Sequence, residues 1–329
     1  MYILSYIGLI LGLVVLTVLL TWHGFIDIFH LLLATGWYLL LLPFAWAPRL
    51  LFETLSWQVL FVPSRTPSYA HLLTANWMGR GINTLLPVAT IGGEVAKARL
   101  ITLWGSSGVD ASASVLVNKT VQALALIPWG IFGICLLFYL AIDNKFAIPV
   151  LTGFLLLAAG IGGFILVQRA GMFTKITRLI GRFIPPDNMA RISDNAREVD
   201  QLIINLYNDR RRFAVSLLWN IVGLIVESTE VWLACYFFGH SISVVEALML
   251  KSLTSTLNNI AFFVPNSYGI QEGGYIMVGA LIGLSPDFSL ALSLATRIRE
   301  LCIDLPGLLT WQHIESKRFL QKKRAVSRS

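Results

Sequence analysis

Charge is scarce in this chain of 329 residues: Asp, Glu, Lys and Arg together make up 13% of it. A soluble domain has roughly a quarter of its residues charged. With 56% hydrophobic residues and a mean hydropathy of +0.72, the composition excludes a large soluble fold and indicates a polytopic membrane protein. Cysteine is scarcer still. Cys135, Cys235 and Cys302 all fall inside apolar runs, which argues against a disulfide framework and a cysteine metal cluster. The five histidines are scattered, and the acids at membrane depth lack the His partners of a typical metal site. No metal and no cofactor are expected. There is no Gly-x-x-x-x-Gly-Lys-Ser/Thr phosphate loop, no kinase motif set and no Ser/His/Asp hydrolase elbow, so an ATP engine and a serine hydrolase are excluded. Residues 2–21 lack both a basic n-region and a small-x-small cleavage site, and are expected to be a retained first helix rather than a signal peptide.

What the chain does have is two interrupted segments. Residues 76–99 carry Gly79, Gly81, Pro87, Gly92 and Gly93 among Arg80, Asn83, Glu94, Lys97 and Arg99. So many glycines and a proline open a helix's hydrogen-bond ladder, and the stretch reads as two half-helices meeting at a break. Residues 251–274 repeat the anatomy: Pro265 precedes Glu272 as Pro87 precedes Glu94, asparagines (Asn258, Asn259) lie upstream, and Gly269, Gly273 and Gly274 follow. Kinked spans and external loops are alternatives. The recurring Asn, Pro, Gly and Glu favour re-entrant hairpins, because freed backbone groups in lipid need protein or a water-filled cavity. Paired breaks in two halves point to a transport site.

The remaining chain supplies about six full spans, 2–22, 28–62, 111–141, 147–168, 213–239 and 288–311. Between the fourth and fifth, residues 169–212 hold nine Lys or Arg against five acids, with apolar residues at helical intervals, and read as an amphipathic helix on the membrane surface. No nucleic-acid motif accompanies this charge, so no nucleic-acid partner is expected. Placing this linker and the basic tail 312–329 in the cytoplasm puts both termini inside and the 143–146 turn outside. The first hairpin then enters from the cytoplasm and the second from the outside. The fold expected is an all-α polytopic membrane protein with an inverted-topology repeat: one membrane domain over 1–311, with repeat one at 28–142, the linker at 169–212 and repeat two at 213–311.

Half-helix N-termini and basic side chains near the breaks favour an anionic ligand. Arg80, Asn83, Lys97, Lys119 and Asn259 are the candidate substrate contacts, with Arg80 and Lys97 first for phosphate; interface anchoring is the alternative. Glu94 and Glu272 either cap the helices after the breaks or serve in gating and coupling. Pro87, Gly92, Gly93, Pro265 and Gly269 form the breaks. Lys251, Glu227, Glu230, Arg299 and Asp304 are further ionisable residues at membrane depth, and Arg297 and Glu300 can pair at i,i+3.

The runs NTLLPVATIGGEVAKAR (83–99) and PNSYGIQEG (265–273) resemble the lysylphosphatidylglycerol synthase transmembrane-region family, over roughly residues 5–310. Within it the chain is similar to hopanoid-biosynthesis-associated membrane proteins. The resemblance implies a flippase-like fold and movement of lipid between leaflets of a bacterial inner membrane, with Glu94, Glu272 and Lys97 at matching positions. The lipid expected is a phospholipid, a polyprenyl-phosphate lipid or a polar hopanoid, and lipid-synthesis enzymes are expected as partners. Few residues follow Trp311, so lipid aminoacylation, which needs a further soluble domain, is not expected. A membrane-embedded transferase and a noncatalytic scaffold are the alternatives.

Overall fold

The computed structural model describes residues 14, 17–19, 21–22, 25–86, 91–140, 147–180, 186–260 and 267–326. Most of the expected first span, the 143–146 turn, and both break prolines, Pro87 and Pro265, lie outside the described residues. Among the described residues there are twelve α-helices and no strand. Helix α1 (Phe25–Thr35) passes through a 3-10 turn at Gly36–Leu41 into α2 (Leu42–Val59), so the expected 28–62 span carries that turn within it. The first hairpin is α3 (Tyr69–Leu85) and α4 (Gly92–Leu103), followed by the long helix α5 (Gly108–Tyr139). Then come α6 (Ala147–Arg169), α7 (Met172–Ile180), α8 (Pro186–Asn208) and α9 (Arg210–Phe237). The second hairpin is α10 (Val244–Ile260) and α11 (Ile270–Leu281), and α12 (Pro286–Val326) carries the basic tail on as helix.

Side-chain caps set several of the starts. Ser68 accepts from His71 N at 3.3 Å, Ser107 from Asp110 N at 2.9 Å, and Asp209 from Arg212 N at 3.1 Å. Ser243 and Glu246 form a reciprocal capping box before α10. Among the described residues, three stretches are long and apolar enough to cross a bilayer: Phe29–Val59, Gly108–Tyr139 and Arg210–Phe237.

Helices α2 and α9 lie antiparallel along each other, since Ser56 meets Ser216, Arg49 meets Asn220, and Trp46 meets Glu227. Around this pair α3 packs on α12 while α10 packs on α5, so each hairpin rests on the last long helix of the other half. Phe44, Leu218, Leu301 and Leu309 stand exposed on the outside, a surface suited to lipid chains.

The linker differs from its expected setting. The apolar stripe of α8 (Val199, Ile203, Leu206) is buried against Leu60, Val117 and Val121 rather than facing lipid. Two polar contacts fix it: Asp200 accepts from the amides of Phe173 and Thr174 at the start of α7, and Gln168 bridges Thr120 and Tyr207. An amphipathic pattern requires an apolar partner and does not say whether that partner is lipid or protein.

Candidate functional site

Hairpin one closes through its glycines. A Cβ on Gly93 would fall on the carbonyl oxygen of Gly79, and one on Gly79 would lie 2.8 Å from the carbonyl oxygen of Gly93. Only glycine permits that backbone approach. Asn83 then staples the break: its Oδ1 accepts from Gly93 N at 2.8 Å and its Nδ2 donates to Glu94 at 3.2 Å. Glu94 is gripped by two ammonium groups, Lys97 at 3.2 Å and Lys119 at 3.5 Å. The Lys97 stem is buried beside Gly79, whereas the Lys119 side chain is 42% exposed. No other acid among the described residues pairs with either lysine.

Hairpin two is built differently. Gly269 has φ +78°, and Ser267 just before it has φ +49°, so the chain turns sharply through the left-handed region before α11. Glu272, fully buried, accepts from Gly269 N at 2.7 Å and thereby caps α11. It also pairs with Arg297 at 3.2 Å, and Arg297 reaches Glu300 at 3.3 Å. Glu94, by contrast, spends its oxygens on side chains, those of Asn83 and the two lysines.

Between the hairpins lies a charged layer. Glu230 is fully buried and takes a bidentate pair from Arg299 at 2.6 and 3.1 Å. Lys251 bridges Glu227 at 3.0 Å and Glu230 at 3.4 Å, and Arg49 reaches Glu227 at 3.5 Å. Arg80 pairs with Asp304 at 3.0 Å and lies over the Trp46 ring, 4.1 Å from its centroid; Arg299 sits 4.8 Å from that centroid. A cavity of about 120 Å³ opens in this layer, with Arg80, Asn258, Asn259, Gln271 and Arg299 in its wall. Of the contacts expected from sequence, Arg80 and Asn259 thus reach the cavity, while Asn83, Lys97 and Lys119 gather at Glu94. Gly92 begins α4.

The motifs around the breaks did not mark Trp46 and Arg49 as members of this layer. For Arg49 a signal was present: the separation between Glu94 and Glu272 also relates Arg49 to Glu227, Lys119 to Arg297, Pro128 to Pro306, Gly105 to Gly283, and α4 to α11 residue for residue. Both Gly105 and Gly283 have positive φ, and both prolines lie inside helices.

Compared with known proteins, residues 7–305 match the family model described as Lysylphosphatidylglycerol synthase TM region. No curated protein and no solved structure matches the chain.

Proposed function

The chain belongs to the Lysylphosphatidylglycerol synthase TM region family, and from that premise we propose that it binds a phosphate-bearing lipid and moves it between the leaflets of a bacterial inner membrane. The observation that carries this reading is the grouping of Lys97 and Lys119 around one carboxylate, Glu94, at a helix break. Elsewhere in the layer Arg80, Lys251, Arg297 and Arg299 share carboxylates, but Asp304, Glu227, Glu230, Glu272 and Glu300 do not fall short of them in number. Two cations sharing one acid leave positive charge to attract an anion, and the exposure of Lys119 makes that charge reachable. The lipid's phosphate sits beside Lys119, its headgroup extends toward the polar interior, and its chains remain among the outer apolar side chains. A polyprenyl-phosphate lipid or a phosphate-bearing hopanoid fits the same description as a phospholipid.

The architecture proposed with this function is an inverted repeat of six spans and two re-entrant hairpins, with both termini cytoplasmic. Two facts support it. Positions related by one constant separation share structure, and one such pair, Arg49 and Glu227, is in mutual contact, as residues on a two-fold axis are. The helices bearing them run antiparallel, as inversion requires. A cysteine replacing Arg197, exposed on α8, is expected to react only with reagent on the cytoplasmic side. Reaction from outside intact cells would overturn this orientation.

Function is tested in liposomes with labelled phosphatidylglycerol. Wild type is expected to exchange the lipid between leaflets. Lys119→Gln should slow exchange by about tenfold, as befits a lost charged contact of roughly 1.4 kcal/mol, with unchanged thermal unfolding. Lipid modification without exchange would favour the transferase, and neither activity would favour the scaffold.

A further inference from the structure

Resting on the reading of the polar interior as the headgroup site, we propose that the cavity beside hairpin two recognises the hydroxyl groups of a polyol or sugar headgroup. Its volume of about 120 Å³ has room for about four waters at roughly 30 Å³ each, comparable to a small polyol such as a glycerol unit. Charge decides against other occupants. The cations in the wall are already held, Arg80 by Asp304, Lys251 by Glu227 and Glu230, and Arg299 by Glu230. Glu227 and Glu300 also line the cavity. A phosphate there would meet these two carboxylates, and an ammonium would meet three cations. A neutral group meets neither penalty.

The hydrogen-bonding wall specifies which neutral group. Arg299 Nη1 is buried with no hydrogen-bond partner, Glu300 Oε1 standing 4.0 Å away, and Asn258 Oδ1 is likewise buried without one; both residues face this cavity. The orientation of Asn258 follows from its neighbours. Thr296 gives its hydroxyl proton to the Ser293 carbonyl, so it accepts from Gln271 Nε2 at 2.9 Å. The carbonyl oxygen of Gln271 is then left to accept from Asn258 Nδ2 at 3.3 Å, which directs Asn258 Oδ1 elsewhere. The wall thus offers one unused donor and one unused acceptor. A hydroxyl can accept from the guanidinium and donate to the amide oxygen, whereas an anion serves only the first and a cation only the second. Asn259, Thr254, Ser255 and the Tyr275 phenol complete a lining suited to several hydroxyls.

The test compares lipids with one phosphodiester charge that differ in hydroxyls. Phosphatidylinositol and phosphatidylglycerol carry them; phosphatidylethanol does not. Binding to the purified protein in nanodiscs is expected to favour the first two at least tenfold, because a site built to hydrogen-bond a hydroxyl leaves its own groups unpaired without one. Asn258→Leu should bring that ratio to within about twofold of unity, and Thr296→Val, which disturbs the same network by one atom, provides a second variant if the first does not fold. Displacement by free myo-inositol supports the same chemistry with a soluble polyol sufficing; retained preference without displacement supports a lipid-borne polyol. Equal binding of all three lipids by wild type overturns the hydroxyl inference and leaves the phosphate reading standing. Failure to bind any of them removes both.

Discussion

In hairpin one, Gly79 and Gly93 bring α3 and α4 to backbone contact, whereas the positions related to them in hairpin two hold Leu257 and Gln271. The first hairpin is therefore closed on itself, and its polar groups are drawn to one carboxylate, Glu94. The second keeps its arms apart: Leu257 packs near Gly274, 3.7 Å from where a Cβ would stand, and Gln271 reaches to Ser293 and Thr296 on α12. The matching acids follow suit. Glu272 is a fully buried cap with an arginine, and Glu94 is a partly exposed hub for two lysines. One plan thus yields a carboxylate shared by two lysines in one hairpin and, beside the other, a cavity whose charged groups are already paired with one another.

The strongest way to break this comparison is to remove each acid in turn. Glu272→Ala removes the acceptor of the Gly269 amide and one of the carboxylates that Arg297 faces, leaving Glu300, and is expected to cost about 3 kcal/mol of stability. Glu94→Ala should cost less, and added inorganic phosphate should restore part of its thermal stability by taking the carboxylate's place between Lys97 and Lys119. Phosphate should not rescue Glu272→Ala. Thermal unfolding of both variants with and without phosphate decides the matter, and rescue of neither or of both would erase the distinction between the hairpins.

A smaller effect is expected from the glycines. Gly93→Ala places a methyl group against the Gly79 carbonyl and should destabilise by about 1–3 kcal/mol through overpacking. Gln271→Ala, at the related position, removes hydrogen bonds from a looser region and should cost about 1 kcal/mol. If the two midpoints shift equally, backbone contact is not what closes hairpin one.

The two breaks are legible in the sequence because glycine and proline act locally on the chain that carries them. The starts of α4 and α11 fall close to the expected places for that reason. Arg80 and Lys97 are harder to place. Both stand out as basic residues near a break, yet Arg80 is held by Asp304 and stacked over Trp46, and Lys97 is packed beside Gly79 with little exposure. The exposed member of the group is Lys119, from a different helix. Arg49 reads as punctuation within an apolar run, and its role emerges only when α9 brings Glu227 against it.

By itself the sequence determined that this protein is helical, membrane-embedded and broken at two points of similar pattern, since hydrophobic length and backbone-disrupting residues act through neighbours in the chain. Tertiary structure alone decided which charge meets which. Arg80 and Asp304, Lys119 and Glu94, and Lys251 and Glu227 are far apart or on separate helices, and their pairing depends on how α3, α5, α9 and α12 turn toward one another. Whether a charged group is neutralised or left to bind depends on that packing, because buried charges interact through geometry that no local pattern encodes.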